Sequence, residues 1–170
     1  MTTDRVHLIV AGESVTVRPI QAADTVMEGE FVRNLSLETK HYRFFGGVQE
    51  LLPAELKRLC NVDGQRSMAF VATVQRDGRE TEIGVSRYVL SSKEDVREMA
   101  VTIADEWQHK GLGALLVKHL ITYAKTHGVR QLYSVELADN GAMQELAHEL
   151  GMSASRDPED AHQIIYSLTL

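Results

Sequence analysis

A short segment with two glycines, Gln108-His109-Lys110-Gly111-Leu112-Gly113, carries the clearest chemical signal in the sequence. It joins a stretch rich in β formers to a run with helical periodicity. Glycines at such a junction let the backbone approach a ligand closely and turn its amide groups toward one point. The N-terminus of the following helix adds unpaired N–H donors and a partial positive charge, and Lys110 adds a full charge. The segment therefore suits an anion, with a pyrophosphate as the obvious candidate.

Two familiar phosphate-binding patterns do not fit this segment. The P-loop requires Gly-Lys-Ser/Thr at a spacing that is missing here. The dinucleotide fingerprint requires a third glycine, a ribose-binding acid and a parallel sheet, and the strands before this segment are expected to be antiparallel. A glycine pair before a helix is more often only a turn, so the interpretation depends on the rest of the chain.

Glu98 is the best candidate for acid–base chemistry. It precedes the glycine segment on a predicted strand, where it shares a face with the small residues Ala100 and Thr102. A nucleophile that carries a proton at neutral pH must lose it before it attacks. A carboxylate can accept that proton, and partial burial would raise its pKa toward neutrality. The alternative is a surface glutamate paired with Arg97 or another neighbour.

The composition indicates one ordinary globular domain over residues 1–170, with 44% hydrophobic and 25% charged residues. The net charge of −6 argues against general nucleic-acid binding. Cys60 is the single cysteine, so an intrachain disulfide is impossible, and we expect a small buried hydrophobe rather than a reactive thiol. The sequence has no signal-peptide pattern and no apolar run of membrane-spanning length, which predicts a cytoplasmic location without membrane contact. No histidine has metal-ligand spacing with a partner, so we expect no metal site.

The first half of the chain is predicted to contain a hairpin, three helices and three antiparallel strands. The hairpin strands are 6–10 and 15–20, and the helices begin at Asp24, Ser36 and Pro53. Gly46-Gly47 would end the second helix. The three strands are 68–75, 81–90 and 98–104, with an Asp-Gly turn joining the first two.

The second half alternates helix and strand. It contains a helix over 111–127, a strand over 131–137, a helix capped by Asp139 or Asn140, a loop over 156–160 and a closing strand over 162–170. The predicted fold class is α+β, with a mixed sheet that is antiparallel in its first half and has helices on both faces.

These elements and motifs together resemble the GNAT superfamily of acetyltransferases over about residues 15–170. The resemblance rests on the Q-x-x-G-x-G segment behind Trp107, on Asp139-Asn140, and on the helix ending Glu149-Leu150-Gly151-Met152. Glu98-Met99-Ala100 and Tyr42-Arg43-Phe44-Phe45 are similar to the transferase domain of bacterial protein lysine acetyltransferases. The implied fold is a GNAT-like mixed, mostly antiparallel central sheet flanked by helices.

The resemblance implies acetyl-CoA as cosubstrate and a set of residues that bind it. In the family, the strand before the glycine segment pairs with the pantetheine arm, loop amides take the pyrophosphate, and an asparagine touches the cofactor arm. The corresponding positions are Val101, Thr102 and Ile103; Gln108, His109, Lys110, Gly111, Leu112 and Gly113; and Asn140. On residue type alone, Asn140 is equally well explained as a plain helix cap. The family's strand pair also splays apart to hold the thioester.

The acceptor side is less determined. The resemblance implies Glu98 as general base, with Tyr42 and Arg43 at the substrate edge, whereas Phe44 and Phe45 are expected in the core. Many family members use a tyrosine seven residues after the asparagine as general acid, and that position is Ala147 here. His148 and Tyr88 are conceivable substitutes.

Two functions of different class remain open. The first is an N-acetyltransferase that works by direct attack in a ternary complex, with a protein lysine as the leading acceptor and a small or antibiotic amine as the alternative. The second is a non-catalytic acyl-CoA-binding regulatory module, which Ala147 favours and Glu98 disfavours. A nucleotide-binding enzyme is a third possibility. The protein is expected to be a monomer or a homodimer.

Overall fold

The computed structural model describes residues 5–46, 48 and 50–170, and within them an eight-stranded sheet. The strands are β1 (Val6–Val10), β2 (Glu13–Pro19), β3 (Ser67–Arg76), β4 (Arg79–Leu90), β5 (Val96–Ile103), β6 (Gln131–Leu137), β7 (Ser153–Arg156) and β8 (Gln163–Thr169). Their spatial order is β1-β2-β3-β4-β5-β6-β8-β7, and all neighbours are antiparallel except the pair β5–β6. This arrangement confirms the predicted α+β fold with a mixed, mostly antiparallel sheet.

Five α-helices lie on the two faces of this sheet in the part of the chain that the structure describes. They are α1 (Thr25–Asn34), α2 (Leu37–Phe44), α3 (Pro53–Cys60), α4 (Leu112–Thr126) and α5 (Gly141–Glu149). Helix α4 packs on one face, against a core that contains Phe70, Leu116 and Leu120. Helices α1 and α3 cover the other face, where Cys60 is buried as predicted. Of the helices described, none combines the length and the apolar character that crossing a membrane requires.

Local sequence signals account for several element boundaries. Ser36 caps α2 by accepting a hydrogen bond from the Thr39 amide at 3.1 Å, and Pro53 is the first residue of α3. Asp77 and Gly78 both have positive φ, at 52° and 76°, as a two-residue hairpin turn requires. Helix α2 ends at Phe44, and the C-cap residue Phe45 has φ 56°; of the expected Gly46-Gly47 stop, Gly47 lies outside the described residues.

Two predictions about local structure differ from what is observed. Asp24 occupies the position before α1, but its side chain does not cap that helix. Its carboxylate instead receives two hydrogen bonds from the buried Arg18 guanidinium and one from the Gln21 amide, because a paired charge is a stronger partner than a single amide. Strand β7 was not predicted, because Ser153–Arg156 is short, exposed and without apolar alternation. Its pairing with β8 alone defines it as a strand.

Candidate active site

The parting of β5 and β6 creates the main cleft. These parallel strands pair over three positions only, from Val96 with Gln131 to Glu98 with Tyr133. Beyond that point β5 continues along β4, and β6 continues along β8. Residues 100–103 and 134–137 therefore face each other across a gap, which is the splay that the sequence resemblance implies.

The cleft at this gap has a volume of about 570 Å³ and collects nearly all the residues singled out from the sequence. The following line it: Tyr42, Arg43, Glu98, Val101, Thr102, Ile103, Gln108, His109, Gly111, Leu112, Gly113 and Asn140. Lys110 is the exception. Its ammonium lies 5.2 Å from the centre of the Trp107 ring, and Lys110 is not among the cleft-lining residues.

The glycine segment is held between β5 and α2. The Gln108 side-chain amide donates to the Ile103 carbonyl at 3.0 Å and to the Thr39 hydroxyl at 3.1 Å. His109 and Gly111 have positive φ, at 60° and 82°, so the backbone turns sharply just before α4 begins. The backbone amides in the first turn of α4 have no hydrogen-bond acceptor within the helix. They lie at the cleft wall. This geometry provides N–H donors for an anion.

A second contact ties the same segment to α2 from the other side. The Asp105 carboxylate accepts hydrogen bonds from the Ser36 amide at 3.0 Å and from the Thr39 hydroxyl at 2.7 Å. Thr39 therefore bonds to both Asp105 and Gln108, which flank the turn at Trp107. The start of α2 and the anion-binding segment consequently form one connected unit.

Glu98 lies on the face of β5 that α2 covers. Met99 points into the core beneath α4, so the alternation of the strand places Glu98, Ala100 and Thr102 on the opposite face. Glu98 is exposed at the cleft. The alternative pairing with Arg97 does not form, because the Arg97 guanidinium donates to backbone carbonyls, among them those of Gln65 and Glu94.

Tyr42 and Arg43 bring α2 to the edge of this cleft. The Tyr42 hydroxyl donates to the Asp139 carbonyl at 3.3 Å and so spans from α2 to the segment before α5. Arg43 is half-buried. Burial and the nearby Arg87 lower the pKa of Arg43, while the surrounding carboxylates, first among them that of Glu136, raise it. An arginine remains charged across the usual pH range, so Arg43 supplies a fixed positive charge here.

The two phenylalanines of the aromatic cluster have different environments. Phe44 packs against the core under α1 and α3, as predicted. Phe45 was also expected in the core, but it is 41% exposed and lines the cleft. Its left-handed backbone ends α2.

Asn140 forms the helix cap that the sequence left open and also lies at the cleft. Its side chain caps α5 by accepting a hydrogen bond from the Met143 amide at 3.1 Å. It also lines the cleft. The cap fixes the side chain at the cleft wall, and the role in binding acetyl-CoA stays a prediction.

The proposed substitutes for the missing tyrosine lie away from the cleft. Tyr88 is fully buried in the core, and its hydroxyl donates to the Gly64 carbonyl at 3.3 Å. His148 is on the exposed side of α5 and is not among the cleft-lining residues. Ala147, at the position of the family's tyrosine, is 2% exposed and packs with Met143 and Tyr166. The sequence-based suggestions of Tyr88 and His148 are therefore wrong in geometry.

Glu136 is a cleft residue that the sequence analysis missed. It is on β6 with Leu132 and Ser134, on the buried face of that strand. The Ser134 hydroxyl donates to Glu136 Oε1 at 2.5 Å. Burial raises the pKa of Glu136, and hydrogen bonding from Ser134 and the charge of Arg43 partly offset that rise. Two polar residues on an otherwise apolar strand face were the available signal.

Comparison with known proteins identifies the class to which this fold and cleft belong. The sequence profile of the GNAT acetyltransferase domain matches residues 15–153. The chain therefore belongs to the GNAT acetyltransferases, a family that uses acetyl-CoA.

Individual relatives agree with this placement. The chain is 46% identical over 159 residues to acetyltransferase PA5475 of Pseudomonas aeruginosa. This alignment covers 94% of this chain and 86% of that protein. The chain is 30% identical over 141 residues to acetyltransferase Pat of Mycolicibacterium smegmatis. This alignment covers 82% of this chain but only 41% of that protein. The crystal structure of the GNAT domain of S. lividans PAT superposes with a TM-score of 0.89 at 23% identity, covering 100% of this chain and 99% of that chain.

Proposed function

We propose that this protein transfers an acetyl group from acetyl-CoA to an amine by direct attack, with Glu98 as general base. The observation that carries the proposal is the arrangement of the cleft. Backbone donors for an anion lie at one wall, and an exposed carboxylate lies on the face of β5 beneath α2. The parted strands connect the two, so both substrates can meet in the gap.

The cosubstrate side of the proposal uses backbone groups. The amides at the start of α4 bind the pyrophosphate, and the edge of β5 at Val101, Thr102 and Ile103, which no described strand pairs with, binds the pantetheine arm. Because these groups are fixed by Gln108 and Asp105, they lose little freedom on binding. Acetyl-CoA supplies the acyl group and the thiol leaving group.

The acceptor side uses side chains. Glu98 takes a proton from the attacking amine, directly or through a water, because the amine nitrogen needs its lone pair to attack the thioester carbonyl. Tyr42 and Arg43 at the cleft edge position the acceptor. Glu98 is accessible to an acceptor that enters past α2, which a general base for a macromolecular substrate requires.

The charge of the cleft favours a cationic acceptor. Its lining includes several carboxylates beyond Glu98, namely those of Glu38, Glu136, Asp139, Glu145 and Glu149. A field of one sign attracts ligands of the opposite sign and raises their local concentration. We infer a protein lysine as the leading acceptor, with a small amine or an antibiotic amine as the alternative.

One observation favours a second candidate, a non-catalytic acyl-CoA-binding regulatory module. Ala147 stands where many family members carry the tyrosine that protonates the leaving thiolate. Such a module would keep the anion-binding segment and would bind acetyl-CoA without transferring the acyl group. The two candidates differ in turnover, not in binding.

Release of coenzyme A over a panel of lysine peptides and small amines tests the proposal. Wild-type protein should turn over at least one amine, and Glu98→Gln should lose most of that rate while calorimetry gives an unchanged Kd for acetyl-CoA. Glu94→Gln is the matched control, because Glu94 precedes β5 and does not line the cleft. Tight acetyl-CoA binding with no turnover of any amine would support the regulatory module instead.

A further inference from the structure

Glu136 occupies the gap between the parted strands. Continuing the register of Glu98 with Tyr133 by three residues places Glu136 level with Val101 on the facing strand. The side chain of Glu136 is 8% exposed and lines the cleft. A carboxyl group is therefore available deep in the gap, on the wall opposite β5.

The groups around Glu136 act on its pKa in both directions. The groups that face it are Ser134 from β6, Arg43 from α2, Asn140 from the cap of α5, Glu98 from β5 and Tyr166 from β8. Burial and the like charge of Glu98 raise the pKa of Glu136. The hydrogen bond from Ser134, the positive charge of Arg43 and the side chain of Asn140 act in the other direction and lower it.

The cleft has a chemical requirement that Glu98 cannot meet. Collapse of the tetrahedral intermediate expels coenzyme A as a thiolate, and a base that has just accepted the amine proton lies on the acceptor side. Ala147 offers no proton, and Tyr88 and His148 lie elsewhere. Among the described cleft residues, Glu136 is the carboxyl group on the buried wall of the gap.

We propose that the neutral carboxyl of Glu136 is the proton donor to the departing thiolate, in a reaction that rests on the proposed function. The amine nitrogen forms its bond to the acyl carbon and gives its proton to Glu98. The carbon–sulfur bond then breaks, and the sulfur takes the proton from Glu136. The reaction leaves an amide, a neutral thiol, a protonated Glu98 and an ionised Glu136, and solvent returns the proton from one carboxyl to the other.

The two carboxyl groups divide the work according to their environments. Glu98 is exposed and accepts a proton, whereas Glu136 is buried and donates one. Pairs of titratable groups in contrasting environments are the usual source of acid and base roles in one site. Arg43, which affects the pKa balance of this region from α2, stabilises the Glu136 carboxylate after the transfer.

Single-turnover rates against pH test this assignment with Glu136→Gln. In wild-type protein the rate should fall as pH rises through the pKa of Glu136, because the ionised carboxyl can no longer donate; this fall is the alkaline limb of the profile. Glu136→Gln should be slower by about 10- to 100-fold on the low-pH side of this fall and should lack the alkaline limb, because an amide cannot release a proton. Its Kd for acetyl-CoA should stay within about threefold of wild type.

Ser134→Ala provides a second variant that keeps the carboxyl group. The Ser134 hydroxyl hydrogen-bonds the Glu136 carboxylate and so lowers its pKa. Removing it should raise the pKa of Glu136 and move the alkaline limb to higher pH. A purely structural role for Glu136 would leave the position of the limb unchanged.

A better leaving group separates proton donation from packing. Acetyl-seleno-CoA releases a more acidic selenol, so the deficit of Glu136→Gln should shrink several-fold with this substrate. An unchanged alkaline limb in Glu136→Gln, or an equal deficit with both substrates, would overturn the assignment while leaving the acetyltransferase intact. If Glu136→Gln does not fold, an unmoved limb in Ser134→Ala overturns it. Absence of turnover in wild-type protein would defeat the proposed function as well.

Discussion

Two pairs of acidic side chains in this molecule differ in what surrounds them. The cleft pair is Glu98 and Glu136, described above. The inner pair is Glu28 on α1 and Glu82 on β4, which lies between the helices and the sheet. Glu28 Oε1 accepts a hydrogen bond from the Arg87 guanidinium at 3.0 Å. Burial and the neighbouring Glu28 raise the pKa of Glu82 well above its ordinary value.

The contrast shows that a raised pKa does not by itself mark a catalytic group. Glu136 and Glu82 are both buried acids whose pKa is raised, mainly by burial. Glu136 lines a cleft that substrates can enter, whereas Glu82 is buried and does not line that cleft. In the inner pair, Arg87 pairs with Glu28, and burial together with the Glu28 charge favours the protonated form of Glu82. Access decides which acid does chemistry, and pairing decides which one supports the fold.

Glu98→Gln should remove the base of the cleft pair and leave the inner pair unaffected. Of the substitutions considered, it should cause the largest loss of activity. We expect kcat to fall by about 10²- to 10⁴-fold, because the amine then lacks a positioned base. The free energy of unfolding should change by less than about 0.5 kcal/mol, since Glu98 is exposed. Steady-state kinetics and urea denaturation measure the two quantities. A stability loss comparable to the rate loss would place Glu98 in the structural class.

Arg87→Met should have the opposite profile. It removes the cation that pairs with Glu28 and leaves two buried acids without compensation, which costs about 3–5 kcal/mol of unfolding free energy. Its guanidinium also donates to the Leu59 carbonyl at 3.2 Å, and that bond is lost too. Urea denaturation measures the change.

Arg76→Met is the matched control for Arg87→Met. Arg76 pairs with Glu13 at 3.3 Å on the surface, where an ion pair contributes about 0–1 kcal/mol. Equal losses in the two variants would mean that the inner cluster is no more costly to disrupt than an exposed pair.

Of the cleft pair, the sequence analysis predicted Glu98 but missed Glu136. Glu98 has a local signal, since small residues share its strand face and the Glu-x-Ala pattern resembles known acetyltransferases. The role of Glu136 depends on where β5 and β6 part, and a parting of strands is a tertiary feature. The same limit hid β7, whose only support is its pairing with β8.

Helices and hairpins with strong local signals were predicted well. Ser36, Pro53 and the Asp77-Gly78 turn each fix a backbone conformation within a few residues, so their elements begin close to the expected positions. Phe45 was placed in the core because aromatic residues are usually buried. Phe45 is instead the left-handed residue that ends α2, and its side chain is exposed.

Glu82→Gln should sharpen the comparison through the pH dependence of stability. The pKa of Glu82 is higher in the folded than in the unfolded protein, so the unfolded chain releases its proton first and stability falls as pH rises between the two values. An amide does not titrate. The variant should therefore be more stable than wild type by on the order of 1 kcal/mol at pH 8, and the difference should shrink at pH 4.

Denaturation curves over this pH range test the Glu82 prediction. Because Glu82 lies outside the cleft, acetyl-CoA binding should be unaffected. A difference in stability that grows toward acid pH would show that Glu82 is ionised in the folded protein, and the inner pair would then need a second cation.

Tyr42→Phe should have the smallest effect, at the edge of the cleft. It removes one exposed hydrogen bond, from the Tyr42 hydroxyl to the Asp139 carbonyl, worth about 0.5–1.5 kcal/mol at most. If that bond holds α2 against the segment before α5, the acceptor KM should rise by about two- to fivefold, while kcat and the Kd for acetyl-CoA stay constant. Thr122→Val, which removes a hydroxyl on the exposed side of α4, should change neither. A fall in kcat with constant KM would instead place the Tyr42 hydroxyl among the groups that act in the transition state, and the division between an acceptor edge and a catalytic gap would have to be redrawn.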